Sequence, residues 1–231
     1  MNYLIVIVFL FCVFYLFYVC YICYKKNINI ENFGNTYTKE IILLGDSILN
    51  NSEYVSYGNS IAELLQLQSN KNILCYALDD CTIDYTYNQI ERIPLTYNKS
   101  STAIFLSIGG NDILEYYMYK KENTNNTKSL KEIFLKYKNL LKTIQKTFSK
   151  TKIILLDIYY PKNIKYEPFF SIISKWNKMM YSYIHSLNNK NVKILQISKI
   201  LIDLSDFSFE IEPSSIGGEK LVTNILQIAN T

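Results

Sequence analysis

Ser47 follows a glycine and an aspartate at the end of a short apolar run, Ile41-Ile42-Leu43-Leu44-Gly45-Asp46-Ser47. A serine on a turn leaving a strand can present its hydroxyl for attack on a carbonyl carbon, and a glycine beside it permits the sharp turn. A second polar cluster, Gly109-Gly110-Asn111-Asp112, follows another apolar run, Ala103 to Ile108. The Asn111 amide is the kind of donor that stabilises a developing oxyanion. Each cluster alone is also an ordinary turn or helix cap, because Asn and Asp satisfy free backbone N–H groups there. The chemistry therefore depends on the two clusters meeting, and so on the elements that carry them.

From Glu40 onward, short apolar runs alternate with longer helical patterns. Ile41 to Leu44 precedes a helix over Ile61 to Leu67, Ile73 to Cys75 precedes Ile83 to Ile93, and Ala103 to Ile108 precedes Ile113 to Lys120. An amphipathic stretch from Leu130 to Phe148, an apolar run Ile153 to Leu156, a helix from Phe169 to Leu187, a run Val192 to Leu195 and a last helix from Ser214 to Ile228 complete the series. Strand and helix in alternation predict an α/β domain of three αβα layers, flavodoxin-like, with a mainly parallel sheet of about five strands and right-handed crossovers. Ligands in such folds bind beyond the carboxyl ends of the strands, which is where both polar clusters fall. The polar stretch Glu122 to Lys128 reads as a surface loop.

With both clusters placed after strands at this spacing, the chain resembles the SGNH, or GDSL, hydrolases over residues 40 to 231. The family's first block is Gly-Asp-Ser and its third is Gly-x-Asn-Asp, and both are intact here. The resemblance implies that Ser47 is the nucleophile and that Asn111 helps form the oxyanion hole, with Asp46, Gly109 and Gly110 bordering the substrate. The second block falls at Ala77-Leu78-Asp79-Asp80-Cys81-Thr82, with Asp80 where the family has a glycine whose N–H donates to the oxyanion. A carboxylate there opposes the charge it should stabilise unless it points away. The last block departs further: where the family has Asp-x-x-His, this chain has Phe209-Glu210-Ile211-Glu212, followed by Pro213-Ser214. Glu212 stands at the histidine position, a pattern similar to a branch of SGNH-like proteins with Ile-Glu-Pro-Ser.

A serine hydroxyl needs a base whose pKa lies near the working pH. Burial against Ile211 and Pro213 could raise Glu212 to that range from its ordinary value of about 4.3. The alternative for Glu212 is a carboxylate at a helix N-terminus, favoured by the macrodipole and followed by proline at a first-turn position. His185, the sole histidine, falls on a helix that should pack away from the strand ends. Trp176-Asn177 and Tyr116, Tyr117 and Tyr119 read as packing residues, and Asp203 and Asp206 as exposed loop acids that could also orient Glu212 or a water.

Tyr3 to Tyr24 contains no charged residue, and as a helix its roughly 22 residues would span the ~30 Å hydrocarbon core of a bilayer. No basic residue precedes the run, so it reads as a retained anchor over residues 1–24, joined by a polar linker, 25–39, to the domain at 40–231. Lys25 and Lys26 follow it, which would leave the domain on the cytoplasmic side of a single-pass protein. The net charge of +4 is spread over isolated lysines, which argues against nucleic acid as a partner. Cys12, Cys20 and Cys23 lie inside the run, leaving Cys75 and Cys81 as reduced thiols without metal spacing. No nucleotide-binding glycine motif follows any strand, and no cofactor is expected. These features predict a membrane-anchored serine esterase acting on an acyl ester or an acylated glycan. The alternative is an inactive module of the same fold that binds an acyl or carbohydrate ligand.

Overall fold

The computed structural model describes residues 40–122 and 129–230, with side chains described outside 119–122. The anchor at 1–24, the linker at 25–39, the Tyr119 side chain and nearly all of the 122–128 loop lie outside the described residues. Among the described residues no helix is long and apolar enough to cross a membrane.

In chain order the elements are β1 (Glu40–Gly45), α1 (Ile61–Gln68), β2 (Asn72–Cys75), α2 (Ile83–Glu91), β3 (Thr102–Ser107), α3 (Gly110–Glu122), α4 (Leu130–Thr147), β4 (Lys152–Leu156), α5 (Phe170–Leu187), β5 (Val192–Leu195), β6 (Phe207–Ser208), β7 (Glu212–Pro213) and α6 (Ser215–Ala229). The first five strands form one parallel sheet in the order β2-β1-β3-β4-β5. This is the doubly wound arrangement the alternating pattern predicts, with a topological switch point between β1 and β3.

β1 and β3 are buried at every position, as continuous apolar strands covered on both faces must be. Alternate residues supply two separate cores. Ile42, Leu44, Ile104, Leu106, Ile153 and Leu155 face the layer of α2, α4 and α5, where Tyr137, Leu141, Trp176 and Met180 close the packing. Ile41, Leu43, Ala103, Phe105, Ile154 and Leu156 face α1 and α6, against Ile61, Leu65, Leu221 and Ile225. Helix starts are chemically marked: Ser60 and Glu63, and Ser129 and Glu132, form reciprocal capping boxes on α1 and α4, and Ser214 accepts from the Gly217 N–H on α6. The predicted Trp176 and Asn177 packing is observed: Trp176 is fully buried, and the Asn177 amide exchanges two hydrogen bonds with the backbone of Ile158.

Two features depart from the sequence expectation. A small antiparallel hairpin, β6–β7, precedes α6, with Ser208 paired to Glu212. Two residues per strand are too few to show a period, so nothing in the pattern signals it. Asp206 is 0% exposed, not a loop acid in water: it accepts from the N–H groups of Ile202 and Asp203 and pairs with Lys220 at 2.7 Å. Neither it nor Asp203, which also meets Lys220, hydrogen-bonds Glu212.

Candidate active site

Ser47 lies on the turn just past β1, and that turn is shaped by close backbone approach. Gly45 has φ +111°, and a Cβ there would come within 1.7 Å of the Ser107 carbonyl on β3. The Gly45 N–H donates to Gln89 Oε1 at 2.8 Å and its carbonyl accepts from Gln89 Nε2 at 2.9 Å, so α2 grips the end of β1. The Asp46 N–H then donates to the Ser107 carbonyl. The Asp46 carboxylate is buried and accepts from Ser107 Oγ at 2.7 Å and from the Ile48 N–H. Burial pushes its pKa up to about 7, with Ser107 and the Ile48 N–H opposing the rise and Glu212 and Asp112 adding to it.

The third block fastens the second. The Asn111 amide donates to the Cys81 carbonyl at 3.0 Å, leaving its other proton for a ligand. Asp112 accepts from the Ile83 N–H with both carboxylate oxygens, so it caps the neighbouring helix α2. Its burial raises its pKa to about 6. Gly109, at φ +109°, makes room for the Trp176 ring, which a Cβ would approach to 2.5 Å.

Asp80 occupies the glycine position with a glycine-like backbone, φ +52°. Its N–H donates to the neighbouring Asp79 carboxylate, which also accepts from the Tyr54 hydroxyl. That N–H is occupied within its own loop, and the exposed Asp80 side chain does not line the cavity beside Ser47.

Glu212, on β7, meets Ser47 from the far end of the sequence. Ser47 Oγ donates to Glu212 Oε1 at 3.2 Å. Glu212 is 7% exposed, and its Oε2 has no partner among the described residues. Burial raises its pKa to about 7, the Ser47 hydroxyl opposing this and the Asp79 and Asp80 charges adding to it. The helix-cap alternative is not what the structure places here, because the cap of α6 is Ser214. His185 is exposed in the last turn of α5. Phe209, where an orienting acid would stand, is 72% exposed at the hairpin tip and, with Glu210, adopts positive φ.

Beside the pair opens a cavity of about 70 Å³. Ser47, Asn111, Gly110, Asp46 and Glu212 border it, and its walls are apolar, with Ile113, Phe169, Ile173 and Ile211 among them. Of the sequence-predicted site residues, Gly109 lines no part of it and acts behind the site, on Trp176. Two further lining residues, Asp157 and Tyr159, follow the apolar run of β4, where the strand-end rule directs attention, but belong to no recognisable motif. Asp157 is buried and accepts from the Ser198 N–H and hydroxyl and from the Tyr181 hydroxyl, joining the ends of β4 and β5.

A doubly wound sheet with a serine after β1, a Gly-Gly-Asn-Asp turn after β3 and a buried partner for the serine defines a hydrolase fold. Residues 24–219 match the GDSL-like lipase/acylhydrolase family, and the chain belongs to it. Its fold is similar to that of a G-D-S-L lipolytic family member from Veillonella parvula, with TM-score 0.63 and 23% identity over 82% of this chain and 97% of that one. It is also similar to a family 3 carbohydrate esterase from Clostridium thermocellum, with TM-score 0.57 and 21% identity over 84% and 98% of the two chains. A lipase from a goat rumen metagenome matches with TM-score 0.59 and 18% identity over 83% and 97%. No curated protein matches the sequence.

Proposed function

We propose that the protein is a serine-dependent ester hydrolase in which Glu212 replaces histidine as the general base. The observation that carries this reading is the 3.2 Å hydrogen bond from Ser47 Oγ to a Glu212 carboxylate that burial has brought to a pKa of about 7. A base poised there is half deprotonated at neutral pH and can take the serine proton as the hydroxyl attacks. The carbonyl oxygen then becomes an oxyanion beside the free proton of the Asn111 amide and the Ser47 N–H. Glu212, now protonated, returns its proton to the leaving alcohol. Water attacks the acyl-enzyme with Glu212 again as base, releasing the acid and restoring Ser47. A carboxyl that is neutral for half the cycle suits a site where its second oxygen has no partner.

The apolar cavity wall favours an acyl group on one side of the ester, and acylated glycans or acyl lipids fit the activities named for the structurally similar esterase and lipase. We read the Ile-Glu-Pro-Ser block as the mark of a branch of the family with glutamate in place of the catalytic histidine. We assign the apolar run at residues 3–24 as an anchor in the bilayer, with Lys25 and Lys26 holding the domain on the cytoplasmic side. An inactive module that binds acyl or carbohydrate ligands is the second reading, favoured by the Asp80 N–H being turned to Asp79.

Hydrolysis of short-chain p-nitrophenyl esters, together with labelling by a serine-directed phosphonate, separates the two. Turnover and labelling that vanish in Ser47→Ala establish the enzyme. Absence of both from mildly acidic to alkaline pH overturns the enzyme and favours the binding module.

A further inference from the structure

A catalytic base must be held within a fraction of an ångström, and the Glu212 carboxylate has little to hold it. Its one hydrogen bond runs to Ser47, the group it must act on, and its other oxygen has no partner among the described residues. The strand beneath it is two residues long and ends in a tip where Phe209 and Glu210 take left-handed backbone angles of +44° and +74°. Neither the side chain nor the hairpin by itself accounts for a fixed position.

The backbone on either side of Glu212 is held from elsewhere. The Ile211 carbonyl accepts from the Tyr159 hydroxyl, which comes from the segment after β4. The Pro213 carbonyl accepts from Asn51 Nδ2 at 3.2 Å. Asn51 follows β1, is 0% exposed, and is itself fixed because its Oδ1 accepts from the Ile61 N–H at the start of α1, at 2.9 Å. The two donors thus come from segments following two different strands of the main sheet, and they reach the carbonyls immediately before and after the base.

We propose that Asn51 and Tyr159 are positioning residues that clamp the peptide groups flanking Glu212 and so transfer the rigidity of the parallel sheet to the base. This rests on the reading of Glu212 as the base. A misplacement of about 1 Å can cost about a hundredfold in rate, so the clamps have a measurable role. The same clamps keep the carboxyl out of water. Facing it are Asp46 after β1 and Asp79 and Asp80 after β2, acids whose charges penalise its ionised form, and the phenols of Tyr54 and Tyr159 itself, which its charge holds neutral.

The test is made on the full chain in detergent, with glutamate labelled by 13C at the carboxyl carbon and the Glu212 signal identified by its loss in Glu212→Gln. In Tyr159→Phe, which removes a single hydroxyl, a released carboxyl reaches water and its titration midpoint falls by a unit or more toward the ordinary glutamate value. Ester turnover per phosphonate-labelled site falls about tenfold in kcat with KM within about twofold, and about a hundredfold when Asn51→Ala is added. A merely structural role would lower the number of labelled sites without moving the midpoint. A midpoint unchanged in Tyr159→Phe, with kcat per labelled site unchanged, overturns the proposal. If Asn51→Ala does not fold, Tyr159→Phe decides alone. If the parent turns over no ester, the esterase reading fails while the carboxyl titration still decides the clamp.

Discussion

The proposed nucleophile and its proposed base are held by different physics. Ser47 follows an inner strand of a parallel sheet, where β1 is paired along its length with β3 and both are fully buried. Its turn is dictated by contact between backbones, and Gly45 is required because no side chain fits against the Ser107 carbonyl. Glu212 rides on a hairpin of two paired residues per strand, with non-glycine residues in left-handed conformations at its tip and its register secured by side-chain donors. A site half built on a rigid ladder and half on a clamped hairpin should lose fold when the first half is changed and chemistry when the second is changed.

The sharpest break in that contrast is Gly45→Ala. A Cβ 1.7 Å from a carbonyl oxygen, at φ +111°, forces two inner strands, β1 and β3, apart. The expected cost exceeds about 4 kcal/mol, read as loss of the cooperative thermal transition in circular dichroism. Glu212→Gln should do the reverse, retaining the fold while lowering kcat/KM by about 10²- to 10⁴-fold in ester hydrolysis. In the parent, kcat/KM should rise with pH through a limb centred near 7, where Glu212 loses its proton.

The same substitution sharpens the comparison through stability. Glu212 has a pKa of about 7 in the folded chain against 4.5 as its ordinary value, so the native state binds the proton more tightly between those limits. Its contribution is fully present below about pH 4.5, is lost as pH rises toward 7 and stays lost above. Glu212→Gln removes that loss, and above pH 7 it should be more stable than the parent by roughly 1–3 kcal/mol, a gap that closes toward pH 4.5 in thermal melts. The smallest expected effect is at the hairpin tip. Phe209→Gly relieves a left-handed phenylalanine at the expense of its edge contact with the Tyr54 ring, and should stabilise by no more than about 1 kcal/mol, with ester turnover unchanged.

The sheet was legible because buried parallel strands must be continuous apolar runs, and the runs from Ile41, Ile73, Ala103, Ile153 and Val192 each became a strand within a residue or two. The doubly wound order followed from strand–helix alternation and right-handed crossovers. The meeting of Ser47 and Asn111 at one cavity was readable because each follows an apolar run that became a strand. Asn51 was not readable, since a buried asparagine serving two backbone groups has no local pattern, only distant partners. Phe209 and Glu210 hid the hairpin for a related reason: the turn uses positive φ without the glycine or asparagine that usually announces it. The burial of Asp206 has no local signal, because its partner, Lys220, lies a helical turn into α6.

The Ser47–Glu212 pair closes a separation of 165 residues along the chain. At synthesis rates of about 5–20 residues per second, the serine is synthesised roughly 10–30 s before its partner exists. A nascent or truncated chain that has already formed β1 and β3 therefore carries a hydroxyl with nothing to activate it. On the proposed mechanism reactivity arrives with the final hairpin, so synthesis of that hairpin serves as the timer of the chemistry.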